Sequence, residues 1–81
     1  MMEILNIGYD NIVLKEKIVA IVNADSKPAR RIKEQAAQTG RLIDATCGRK
    51  TRALILTHSN HIVLSAINVQ TLTQRIRGKK G

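Results

Sequence analysis

The apolar positions of this chain fall into short runs of strand length, interrupted twice by stretches with a helical period. Glu3 to Ile7 and Asn11 to Leu14 are apolar-rich runs separated by Gly8-Tyr9-Asp10, a composition that reads as two strands around a turn. Ile18 to Val22 is an unbroken apolar run rich in β-branched residues, so both faces of the strand it predicts should be shielded from water. Leu42 to Thr46, Arg52 to Thr57 and Ile62 to Ile67 read as three more strands. The turns between them, Cys47-Gly48-Arg49-Lys50 and His58-Ser59-Asn60-His61, are short enough to predict consecutive antiparallel neighbours.

Two segments follow the helical period instead. Asp25 and Ser26 offer side-chain oxygens to cap a helix, Pro28 suits its first turn, where an amide needs no intrahelical partner, and Gly40 can end it. Ala29, Ile32, Ala36 and Ala37 then form one apolar face, opposite Arg30, Arg31, Lys33 and Glu34. A second helix can start at Asn68, with Val69, Leu72 and Ile76 on one side. The expected class is α+β, a small mainly antiparallel sheet with two short helices. One domain should occupy residues 1–77, and the basic tail 78–81 should be frayed.

A chain of 81 residues buries only roughly 60% of the surface its unfolded form exposes, so a scaffold of this size usually needs help to be stable. The single Cys47 rules out an intrachain disulfide framework. Ala53 to Leu56, like Ile18 to Val22, is apolar at both alternating sets of positions, and two short helices cover only part of a sheet. The remaining apolar face is therefore expected to pack on another subunit.

Charge changes the picture further. The formal net charge is +8, from 14 Lys and Arg against 6 Asp and Glu, which is the footprint of a polyanion partner. All six acids lie between Glu3 and Asp44, and from Cys47 to Gly81 there are seven Lys and Arg without a single acid. Such asymmetry argues for a directed surface. Tyr9 is the only aromatic residue, which counts against base-stacking recognition of single strands. No apolar run approaches the roughly 20 residues of a membrane span, and the start lacks a signal-peptide pattern, so a cytoplasmic protein is expected.

The most informative stretch runs from Leu42 to Arg52. Gly48 permits a tight turn that carries Arg49 and Lys50, with Arg52 at the base of the next strand, so three cations project from one short hairpin. Phosphate contacts favour cations held at fixed spacing, and the Arg fork can also engage guanine edges. Lys17, in Lys15-Glu16-Lys17, reads by itself as part of a solvated loop. Arg30, Arg31 and Lys33 read as a wet helix face that becomes secondary contacts only if folding brings it beside the hairpin. Cys47, His58 and His61 are one ligand short of a structural zinc site, and nothing positions a group to activate Cys47. Gly8 is isolated, without a phosphate-loop pattern. No acid pair or nucleophile signature stands out, so no enzyme, metal, cofactor or small-molecule substrate is expected.

Five blocks in register also carry a resemblance. Asn6 to Val13, Ser26-Lys27-Pro28, Leu42 to Thr46, Gly48 to Ala53 and His61 to Ala66 are similar to the conserved blocks of the RemA family, also called YlzA-like, over nearly the whole chain. The resemblance implies a bacterial activator of biofilm and extracellular-matrix genes that binds duplex DNA as a ring-shaped homo-oligomer, with a fold similar to LytTR-type DNA-binding domains. It also implies that Arg49 and Lys50 match a basic pair needed for DNA binding, that Lys17 stands at a functionally important arginine, and that Pro28 matches a functionally required proline. This chain departs from the pattern with Lys at positions 17 and 50, where arginine is usual, and with Cys47 in place of tyrosine. Lys keeps the charge and loses the bidentate fork, which favours phosphate contact over base reading. Two other readings stay open, an RNA-binding post-transcriptional regulator and an oligomeric adaptor for an acidic protein partner.

Overall fold

Alternation along the strands sorts the apolar side chains into two clusters, one on each face of a central sheet. The computed structural model describes residues 3–78. Strands β1 (Ile4–Gly8) and β2 (Asn11–Leu14) form an antiparallel hairpin. A single 3-10 turn, Lys15–Lys17, leads into β3 (Ile18–Asn23), and helix α1 (Lys27–Gln38) follows. Then come β4 (Leu42–Asp44), β5 (Ala53–Thr57), β6 (Ile62–Ser65) and helix α2 (Val69–Ile76). The four later strands form one sheet in the order β3-β5-β6-β4. The α+β class with mainly antiparallel pairing and two short helices is as the apolar pattern predicts. Beyond Gly78, the expected frayed tail lies outside the described residues.

Strand order is where the structure departs from expectation. β5 and β6 are antiparallel neighbours, but β4 lies on the far side of β6 and pairs with it in parallel, with Leu42 opposite Ile62 and Asp44 opposite Leu64. The segment from Ala45 to Arg52 is therefore a crossover that arches over the end of β6, and the predicted hairpin does not exist. The arch is tied at both feet: the Ala45 amide donates to the Leu64 carbonyl at 3.0 Å and the Arg52 amide to the Ser65 carbonyl at 2.8 Å. Burial explains the choice. Every residue of β6 is buried, so it takes a central position, whereas Ile43 and Asp44 of β4 are exposed and suit an edge.

Both helices start where predicted. Ser26 caps α1 by accepting the Ala29 amide at 3.2 Å, and Asn68 caps α2 by accepting the Thr71 amide at 2.8 Å. β4 and β6 end earlier than their apolar runs because side chains take over the backbone amides. Asp44 accepts the Thr46 amide at 2.9 Å, and Ser65 accepts the Ile67 amide at 3.1 Å.

Helix α1 lays Ala29 and Ala36 on Leu54, Ile62 and Leu64, covering one face of the sheet. The hairpin and α2 cover the other, where Leu5, Ile7 and Leu72 meet Ala45, Ala53, Ile55 and Val63. Fully burying a side chain such as Leu5, Ile7 or Leu72 contributes about 1.5–3 kcal/mol relative to leaving it exposed. The face expected to await another subunit is thus largely covered within the chain, because the hairpin folds back over it. β3 proves to be an edge strand with a bulge between Ile18 and Ala20, and Val19 is 58% exposed instead of shielded. Among the described residues, Val19, Ile4, Ile12, Ile43 and, at the end of α2, Ile76 are the large aliphatic side chains that this arrangement leaves to solvent.

Candidate nucleic-acid interface

The arch between β4 and β5 owes its shape to two consecutive residues in the left-handed region. Cys47 has φ 55° and Gly48 φ 79°, and the Arg49 amide donates to the Thr46 carbonyl at 3.0 Å, so residues 46–49 make a tight turn with both central dihedrals positive. An added Cβ on Gly48 would meet nothing within 4 Å. Its dihedral, and not crowding, is therefore what calls for glycine there.

The foot of the turn is locked. One Asp44 carboxylate oxygen accepts both the Thr46 hydroxyl, at 2.6 Å, and the Thr46 amide, at 2.9 Å, while Thr46 itself is buried. The donated Thr46 hydroxyl, and after it the amide, hold the Asp44 carboxyl below its ordinary range; the positive charge of Lys33 adds a smaller push the same way. Above that anchor, Arg49, Lys50 and Arg52 are exposed. Among the described residues no hydrogen bond or ion pair engages their side chains, and the one ion pair present is Lys15 with Glu3 at 3.8 Å.

The sheet brings a fourth cation to this end. Asn23 pairs with Ala53, and the Ala24 amide donates to the Arg52 carbonyl at 3.1 Å, so the start of α1 lies beside Arg52 with Lys27 exposed in its first turn. Sequence reading missed Lys27 as a member of this cluster, because only the pairing of β3 with β5 reveals that the helix start and the arch are neighbours. Of the secondary candidates, Lys33 lies close enough to Asp44 to act on its carboxyl. Arg30 shares a shallow groove with Lys33 and Glu34, whereas Arg31 follows one residue on, about 100° further around the helix. All three are exposed.

Lys17 is not part of this cluster. Its carbonyl accepts the His58 amide at 2.9 Å, which places it at the opposite end of β5 from Arg52. The five residues of β5 separate the two by roughly 17 Å. Cys47 and the pair His58 and His61 are likewise at opposite ends of the sheet, so folding does not assemble them into a metal site. Pro28 sits in the first turn of α1, and Gly8, at φ 102°, packs so tightly that a Cβ would lie 3.2 Å from Ile67 Cδ1.

A family model described as RemA-like, extracellular matrix regulatory protein A-like, matches residues 4–76. A protein of Nitratidesulfovibrio vulgaris that bears the name "Putative regulatory protein" is 53% identical over 73 residues, 90% of this chain and 83% of the relative. One of the same name from Thermosipho melanesiensis is 53% identical over 75 residues, 93% of this chain and 80% of the relative. A third, from Oleidesulfovibrio alaskensis, is 54% identical over 72 residues, 89% of this chain and 86% of the relative.

Proposed function

The chain belongs to the RemA-like family of extracellular matrix regulatory protein A-like proteins, and on that premise we propose that it is a non-enzymatic transcriptional regulator that binds duplex DNA through the arch between β4 and β5. The observation that carries this reading is the set of three exposed cations, Arg49, Lys50 and Arg52, without a partner of their own among the described residues and held by a turn clamped at Asp44 and Thr46. Cations fixed in place lose little entropy on meeting a phosphate backbone, and each one neutralised releases counterions. Lys27 extends the patch along the start of α1; Lys17 falls outside it.

One such patch makes a weak contact. A closed homo-oligomer would repeat it, and many modest sites add through effective concentration into firm binding of a long or curved duplex. The resemblance to the RemA family supports such a ring, acting in the cytoplasm on biofilm-matrix genes. Sequence preference then comes in part from the ease of bending the DNA.

The test is the double substitution Arg49→Ala with Lys50→Ala, followed by electrophoretic mobility shift and native mass measurement. Duplex binding should fall below detection while the mass of any assembly stays the same. Normal binding by this variant rules out the arch as the contact. A preference for structured RNA over duplex DNA in competition overturns the assignment of partner.

A further inference from the structure

Away from the basic arch, a groove of about 300 Å³ runs between β2 and the β6–β4 side of the sheet. Its walls are aliphatic, chiefly Ile12, Ile43 and Val63, and its far end is polar. There the lining changes to Lys17, Thr57, Ser59 and His61, and among the described residues no carboxylate lines any part of it. A cavity of this volume sits at the low end of small-molecule sites, about 300–1,000 Å³, and like them it combines apolar walls with a few convergent polar groups.

The polar end is built rather than incidental. Ser59 Oγ lies 2.7 Å from His61 Nδ1 and 3.0 Å from Thr57 Oγ1, and Thr57 Oγ1 in turn bonds both the amide and the carbonyl of His61 at 3.1 Å. This relay fixes the imidazole through Nδ1. Among the described residues, His61 Nε2 and the Lys17 ammonium have no partner. The Lys17 ammonium beside an apolar trough, with the Ser59 hydroxyl and the His61 imidazole as hydrogen-bonding neighbours, fits a negative head on a greasy tail better than a cationic one.

We propose that this groove binds a small amphipathic anion, a carboxylate on a short to medium aliphatic chain, with the head at Lys17, Ser59 and His61 and the tail along Ile12, Ile43 and Val63. The site stands apart from the basic arch and does not depend on it. Lys17, which the cluster around Arg52 leaves out, is here the group that selects charge.

The experiment is amide NMR on the full-length ¹⁵N-labelled protein titrated with octanoate, with octanol and octyltrimethylammonium as neutral and cationic probes. Octanoate should shift the amides of Val13, Ile43, Ser59 and Val63 saturably and leave those of Arg49 and Lys50 in place. Each methylene added from hexanoate to octanoate should tighten binding about fourfold. Lys17→Gln, at an exposed position that folding tolerates, should weaken octanoate about tenfold, to the level of octanol. Equal binding of octyltrimethylammonium, or octanoate binding unchanged by Lys17→Gln, overturns the proposal. Groove amides that move with protein concentration and not with octanoate overturn it too, since they assign the groove to a second copy of the chain.

Discussion

Asp44 and Thr46 are joined twice: one carboxylate oxygen accepts both the hydroxyl and the amide of a threonine whose side chain is buried. The pair ends β4 and sets the direction in which the chain leaves for the arch. Thr46→Val keeps the shape and deletes the hydroxyl bond, so it should cost about 1–2 kcal/mol. Urea denaturation reads that loss directly. Duplex affinity should fall more than a substitution far from DNA contact would predict, because Arg49 and Lys50 then ride on a looser turn.

The same pair makes stability depend on acid. Asp44 titrates below its ordinary range in the folded state, chiefly because of the Thr46 hydroxyl. Its contribution is therefore complete above the unfolded carboxylate value of about 3.9 and is lost as pH falls through the lower folded value. Asp44→Asn should remove that part of the acid dependence, so that the difference in melting temperature between wild type and variant shrinks as the pH is lowered toward 3. A gap that stays constant over that range argues against the clamp.

Backbone dihedrals at the turn give a second stability prediction. Gly48→Ala places a Cβ in open space at φ 79°, so its whole cost is conformational, about 1–2 kcal/mol, or roughly 4–16 °C in melting temperature for a domain of this size. Gly48→Asn should cost less, because Asn tolerates the left-handed region. Gly8→Ala should cost more, since φ 102° is joined there by the 3.2 Å approach to Ile67.

Ser65 is buried at the end of β6, where its hydroxyl donates to the Ile7 carbonyl at 2.9 Å and accepts the Ile67 amide at 3.1 Å. Ser65→Ala leaves the buried Ile7 carbonyl and the part-buried Ile67 amide without this partner and should cost about 1–3 kcal/mol. Hydrogen exchange should show the hairpin loosening on the sheet before the β5–β6 pair does.

Salt dependence tests the phosphate reading. With the three arch cations neutralising phosphates, the logarithm of affinity should fall by about 2.7 per decade of salt for each patch engaged, about fortyfold between 50 and 200 mM. Arg52→Ala should lower that slope by about 0.9. A flat dependence rules out binding dominated by phosphate contacts.

The amino-acid pattern alone determined the elements and the ends of the helices: Ser26 and Asn68 as caps, Gly40 after the first helix, strands within the apolar runs, and a surplus of positive charge after Asp44. These follow from period, cap chemistry and count, all properties of neighbours along the chain. Tertiary structure decided which strands pair. β6 displaced β4 from the side of β5, so the basic turn became an arch, Lys27 joined it, Lys17 was left at the other end, and the hairpin closed over a face that the pattern could only mark as apolar. A strand's sequence states how much of it must be buried, but its partner is settled by competition among all the edges present, which no local stretch contains.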